Sequence, residues 1–95
     1  MSVLFEIRDK TGRNIRLTKE RWKHIVEEHP NITNSDLIER ALVCPDKISP
    51  SRYQPESVQY YYLYIKRFKR YLMVGVKYLN GEGFIITAYY LRKIR

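Results

Sequence analysis

The sequence predicts an α+β fold in which two helices cover one face of an antiparallel meander of three or four strands, with a short hairpin ahead of them. Three observations predict it. Trp22, Ile25, Val26 and His29 recur at i, i+3, i+4 and i+7, the spacing of one helical face. The stretches 58–65, 71–79 and 84–91 are rich in β-branched and aromatic residues. Only Lys66-Arg67-Phe68-Lys69-Arg70 and Asn80-Gly81-Glu82-Gly83 separate them, links short enough for antiparallel hairpins.

Each element has local grounds. Val3-Leu4-Phe5-Glu6-Ile7 and Asn14-Ile15-Arg16-Leu17 favour strands, and Gly12 between them suits a tight turn. Thr18 is placed to N-cap the first helix, Glu20 sits at the positive end of its dipole, and Pro30 stops it after His29. Thr33-Asn34-Ser35-Asp36 offers caps for a second helix over 35–43. Its apolar side is Leu37, Ile38, Ala41 and Leu42, and Pro45 ends it. Lys47-Ile48-Ser49 is a short strand candidate before Pro50. With no internal repeat, low-complexity tract or linker, residues 1–95 read as one domain.

A period of two sorts the sheet faces. Leu72, Val74 and Val76, with Phe84, Ile86, Ala88 and Tyr90, are expected to meet the helices. Met73, Gly75 and Lys77, with Ile85, Thr87 and Tyr89, are expected on the opposite face. That mixture is too polar for a core and suits a groove that holds a nucleotide.

Composition narrows the function classes. Lys and Arg total 18 against 10 acids, for a net charge of +8. Residues 1–51 carry nine basic and eight acidic side chains, whereas 52–95 carry nine basic and only Glu56 and Glu82. Such a concentration makes a positive field that gathers polyanions. The single cysteine, Cys44, can form neither an internal disulfide nor a cysteine-based zinc site. Residues 1–16 do not resemble a secretion signal, and no apolar run approaches the roughly 20 residues that span a bilayer. The expectation is a reduced, cytoplasmic protein with no membrane span.

The residues able to carry chemistry are few. An unperturbed imidazole can donate or accept a proton at cellular pH, which makes His24 and His29 the first candidates, and His29 falls in the last helical turn, at the negative end of the dipole. Their five-residue separation rotates them by about 140° on an ideal helix, so they do not point squarely into one site. It is also not the i,i+4 spacing of helical metal ligands, and no metal is expected. Tyr60, Tyr62 and Tyr64 share one strand face and Tyr61 takes the other; rings beside a basic groove stack bases at about 1–3 kcal/mol each. Lys66, Arg67, Lys69 and Arg70 project from a turn toward a phosphate backbone, and Arg92 belongs to a second cluster, Leu91-Arg92-Lys93-Ile94-Arg95. Arg52 stands alone at the start of the basic half, a cation for a pentacoordinate phosphorane. There is no Gly-rich phosphate loop, nucleophile elbow or Cys/His cluster. Chemistry here is therefore general acid–base work without metal or cofactor. RNA permits it, because its own 2′-hydroxyl is the nucleophile.

The pattern Leu17-Thr18-x-x-Arg21-Trp22-x-His24-Ile25-x-x-x-His29-Pro30 is followed by Cys44-Pro45-Asp46-Lys47-Ile48, Val74-Gly75-Val76-Lys77 and Phe84-Ile85-Ile86-Thr87-Ala88-Tyr89. Across roughly 15–90 it resembles the phage-type branch of the Barnase–EndoU–colicin–RelE-like nucleases. The resemblance implies two helices packed on a curved four-stranded antiparallel sheet, metal-independent RNA cleavage on its exposed side, and use as a toxin neutralised by a cognate antitoxin. It puts forward His24, His29 and Thr87 as active-site residues, with Lys77 and Arg52 where cations are expected. Tyr60, Tyr62, Lys66, Arg67, Lys69, Arg70, Tyr89 and Arg92 are the expected RNA-binding residues. Which histidine is base, and whether the other or Tyr89 is acid, stays open. The alternatives are a non-catalytic RNA- or DNA-binding module using the same basic, Tyr-rich groove, and an interaction domain for an acidic protein.

Overall fold

The computed structural model describes residues 2–94. Along the chain run β1 (Val3–Arg8), β2 (Asn14–Thr18), α1 (Lys19–Glu28), α2 (Ser35–Val43), β3 (Lys47–Pro50), β4 (Val58–Ile65), β5 (Arg70–Leu79) and β6 (Glu82–Leu91). The helix ends follow local chemistry. Thr18 accepts from the Arg21 amide (3.1 Å) and Asn34 from the Asp36 amide (2.8 Å), each satisfying a donor the helix leaves free. At the other end of α1 the His29 amide donates to the Ile25 carbonyl (2.8 Å) before Pro30 prevents continuation.

The strands form one six-stranded mixed sheet in the order β1-β2-β6-β5-β4-β3. This corrects the expected four-stranded antiparallel sheet beneath two N-terminal helices. The N-terminal hairpin is part of the sheet, because β2 runs parallel to β6 through the pairs Ile15–Gly83 and Arg16–Phe84. Gly83 makes the approach possible. A Cβ there would stand 2.9 Å from Ile15 Cγ1 and Tyr78 Cε1, and 3.0 Å from Val76 Cγ1. Without it β2 closes on β6, whose outer backbone groups would otherwise lie unpaired.

Both helices pack on this sheet, α1 against β6 and β2, α2 against β5, β4 and β1. Ile25, Ile38, Ala41 and Leu42 interleave with Ile15, Leu17, Tyr61, Leu72, Val74, Val76, Ile85 and Ala88 in one buried cluster. Each fully buried Leu or Ile in it contributes about 1.5–3 kcal/mol. Among the described residues no helix is long and apolar enough to cross a membrane.

A bulge between β5 and β6 alters the expected faces. Gly75 pairs with Thr87 but Val76 pairs with Ile85, leaving Ile86 as the extra residue. Ala88 and Tyr90 keep the expected helix side. Before the bulge the parity reverses: Ile85 enters the core, while Phe84 pairs with Lys77 and Ile86 joins Lys77 in a surface hollow. An alternation rule holds only while the ladder is unbroken.

Candidate functional site

The sheet face turned away from the helices is organised by register into rows. Ser49, Tyr60, Gly75 and Thr87 form one, and Lys47, Tyr62, Met73 and Tyr89 the next. Val58, Lys77 and Phe84 form a third, on the other side of the first, and Arg16 extends it from β2. Gly75 sets the shape of the middle row. A Cβ there would lie 3.0 Å from Thr87 Cγ2 and 3.4 Å from Tyr60 Cε1, so both side chains lean over the bare backbone.

Two hollows flank Tyr60. The larger, about 600 Å³, is lined by Ser49, Pro50, Ser51, Arg52, Tyr53, Tyr60, Tyr62, Met73, Tyr89 and Leu91. The smaller, about 360 Å³, is lined by Ser51, Tyr53, Gln54, Val58, Tyr60, Lys77 and Ile86. The floor of the larger is firm: Tyr62 is 4% and Met73 2% exposed. Tyr62 therefore offers a groove wall and no free ring.

The loop over residues 51–57 overhangs both hollows, and its hydrogen bonds hold it. Buried Ser51 accepts through Oγ from the amides of Tyr53 (3.2 Å) and Gln54 (3.3 Å). Its own amide donates to the Val58 carbonyl (2.9 Å), and the Tyr78 amide donates to the Ser57 carbonyl (2.7 Å). Arg52 and Tyr53 are thus carried on a braced turn with their side chains in solvent. Tyr53 is 86% exposed, which fits a ring waiting for a stacking partner. Tyr53 belongs to the tyrosine-rich stretch of the sequence but was not among the expected RNA-binding residues; its place next to Arg52 was the available signal.

The expected site residues divide as follows. Arg52 lines the larger hollow and Lys77 the smaller, with Thr87 beside Tyr60 between them. His29 is half-buried, and its ring centroid lies 5.3 Å from that of Tyr89, which lines the larger hollow. The short β2–β6 pairing permits this, since α1 follows β2 directly and packs along the rest of β6. His24 is exposed and lines neither hollow. The cations Lys66, Arg67, Lys69 and Arg70 sit at the β4–β5 turn. That turn lies about 23 Å along the strand from Lys77, at roughly 3.3 Å per residue. Leu91 pairs with Tyr71, so Arg92 and Lys93 emerge at the same end. Arg95 lies outside the described residues. Among the described residues no three His, Cys, Asp or Glu side chains gather as a metal-holding group.

The covered face holds a polar cluster the sequence reading missed. Asp9, in the β1–β2 turn, accepts from Thr11 Oγ1 (2.6 Å), from the amides of Thr11 (2.9 Å) and Arg13 (3.0 Å), and from Tyr78 Oη (2.9 Å). Tyr61 Oη also meets Asp9 Oδ2 and Tyr78 Oη. The Arg13 guanidinium lies 3.6 Å from the Tyr78 ring centroid. Burial alone raises the Asp9 pKa, but the hydrogen bonds from Thr11, Tyr61, Tyr78 and the Arg13 amide outweigh it and hold the carboxyl below its ordinary 3.8. Burial, then the hydrogen bond to Asp9, raises the Tyr61 hydroxyl; burial, then the hydrogen bonds to Tyr61 and Asp9, raises that of Tyr78. Only the opposite parity of Tyr61 hinted at this in the sequence.

Around Tyr60 the open face thus combines the cations Arg52 and Lys77, the Thr87 hydroxyl, stacking rings and an adjacent imidazole, a set able to bind a phosphate diester between planar bases. The comparisons with known proteins agree in class. A family model described as phage-Barnase-EndoU-ColicinE5/D-RelE like nuclease2 matches residues 5–95, and the chain belongs to that nuclease family. No curated protein and no solved structure matches the chain.

Proposed function

We propose that this nuclease is a metal-independent endoribonuclease of toxin type that cuts cytoplasmic RNA and is restrained by a cognate antitoxin protein. The observation that carries the reading is the grouping of Arg52, Lys77 and Thr87 around Tyr60, with His29 against Tyr89 at the border. The reaction is a transesterification. A base removes the 2′-hydroxyl proton, and the 2′-oxygen forms a bond to phosphorus. The bond from phosphorus to the 5′-oxygen breaks, and an acid supplies that oxygen with a proton. The products are a 2′,3′-cyclic phosphate and a 5′-hydroxyl. Arg52 and Lys77 hold the phosphorane from opposite sides of Tyr60, and Thr87 orients it. His29 and Tyr89 are the proton-transfer pair that lies beside the groove. His24, exposed and lining neither hollow, has the weaker claim.

The test uses labelled RNA and purified protein in excess chelator. Cleavage is expected to leave cyclic-phosphate and 5′-hydroxyl ends, and RNA with a single 2′-deoxy residue at the cut site is expected to resist. His29→Ala is expected to slow cleavage by about 10²–10⁴-fold, the usual worth of a positioned proton-transfer group. Intact RNA after incubation with wild type, or equal cutting of the deoxy substrate, overturns the reading. Tight, salt-sensitive binding without cutting would favour the non-catalytic module instead.

A further inference from the structure

At the far end of the sheet from Lys77 lies a third hollow of about 300 Å³, lined by Asn31, Phe68, Arg70 and Tyr90. It belongs to neither of the hollows around Tyr60. Its wall is the β4–β5 turn, which Lys69 closes with φ 53 and which the Phe68 and Lys69 amides pin to the carbonyls of Ile65 (3.1 Å) and Lys66 (3.2 Å). The turn presents Phe68 outward, 43% exposed, although a phenyl ring gains by burial. Phe68 stands edge-on to Tyr90, with centroids 5.7 Å apart and planes at 76°. The Arg67 guanidinium lies 4.8 Å from the Phe68 ring centroid.

The charge around this hollow is uncompensated. Lys66, Arg67, Lys69, Arg70, Arg92 and Lys93 lie at this end of the sheet, and the ion pairs among the described residues are those of Arg16 with Glu6 and Glu82. An aromatic hollow with Arg70 in its wall, Arg67 against its Phe68 ring and a side-chain amide at its rim matches one ligand chemistry well. A base stacks on a ring, its edge meets the donor and acceptor of Asn31, and its phosphate meets Arg70.

We infer that this hollow is a second nucleotide subsite, which takes a base of the RNA strand several nucleotides from the scissile bond. The inference rests on the open face being the cleavage site. Tyr90 and Arg70 turn to the helix side of the sheet, so a strand leaving the open face must round the β6 edge to reach them. The roughly 23 Å between Lys77 and Arg70 is the least separation: about seven stacked nucleotides at 3.4 Å each, fewer if the strand is stretched. A short oligonucleotide centred on the cut therefore never reaches Phe68, and a long one does.

The experiment compares a trinucleotide with a dodecamer, using full-length wild type, Phe68→Leu and Phe68→Ala. Phe68→Leu keeps apolar cover over Tyr90 while removing the ring, which guards against a variant that fails only through misfolding. For the dodecamer, KM is expected to rise about tenfold in both variants with kcat unchanged, within the usual worth of one stacked base. Trinucleotide kinetics are expected to stay at wild-type values. Photocrosslinking with 5-iodouridine placed in turn at each dodecamer position is expected to label Phe68 or Tyr90 from one position only. Unchanged dodecamer KM in both variants overturns the subsite, including the case in which the hollow serves an acidic protein. If wild type cuts nothing, the cleavage reading fails separately, and the subsite is read from dodecamer affinity by fluorescence anisotropy. Equal affinity of wild type and Phe68→Leu would then overturn it.

Discussion

On β4, Tyr61 turns toward the helices while Tyr60 and Tyr62 turn away, and the two faces put one residue type to opposite uses. Tyr61 is 0% exposed and its hydroxyl is consumed by Asp9 and Tyr78. Tyr60 lines both hollows with its hydroxyl uncommitted to any side chain among the described residues. The covered face satisfies its polar groups internally, as a low-dielectric interior requires. Around Tyr60 the open face leaves Arg52, Lys77 and the Tyr53 ring without an ion-pair or side-chain partner among the described residues, which is the state of a surface that binds something. Each face also contains one glycine over which neighbours close, Gly83 on the covered side and Gly75 on the open side.

The comparison breaks most sharply at Lys77. Lys77→Gln is expected to lower cleavage by about 10²–10³-fold, the cost of losing one preorganised charge contact to the transition state. Its melting temperature is expected to stay near wild type, since among the described residues the amine makes no ion pair. A variant that melts early and keeps its activity would place Lys77 in the structural half of the molecule.

Asp9→Ala is the mirror experiment. It strips the acceptor from two buried hydroxyls, costing about 1–3 kcal/mol for each group left unsatisfied. At about 4–8 °C per kcal/mol for a domain of this size, calorimetry resolves the loss easily. kcat at a permissive temperature is expected to survive.

The same cluster sets the pH limits. The Asp9 pKa is lowered on folding, so its contribution is complete above 3.8 and is lost as pH falls through the lower folded value. Tyr61 and Tyr78 have raised pKa values, so the folded state holds their protons longer and stability declines as pH rises beyond the ordinary 10. Denaturant midpoints are expected to fall at both extremes, and the gap between wild type and Asp9→Ala is expected to close in acid. A gap that persists well below 3.8 would mean that Asp9 acts through shape and not through charge.

The glycines give the finest test. Gly83→Ala forces Ile15, Tyr78 and Val76 apart at once and is expected to cost about 1–3 kcal/mol of stability, as overpacking does. Gly75→Ala meets only the side-chain atoms of Thr87 and Tyr60, so its stability loss is smaller and its effect falls on KM and kcat. Matching profiles for the two variants would erase the distinction between the faces.

Much of the local structure was legible in the sequence. The helix over 35–43, the strand over 58–65 and the Thr18 cap follow from periodicity and capping chemistry, which act within a few residues. So does the separation of Tyr60 from Tyr61, because the pleat alternates without outside help. The family, too, was readable from spaced motifs, and the match over 5–95 bears that out. Less legible were the parallel β2–β6 pairing, the Ile86 bulge and the Asp9 cluster. Each depends on residues brought together from far along the chain, such as Ile15 with Gly83 or Asp9 with Tyr78.

By itself, then, the sequence determined the elements, the faces of α2, β4 and β5, and the basic second half, since propensity, alternation and charge are properties of short stretches. Tertiary structure decided that the sheet has six strands, that His29 and not His24 borders the groove, and which tyrosines are spent inside. Those outcomes turn on close approach between distant segments, where a missing Cβ or one extra residue in a ladder outweighs any local preference.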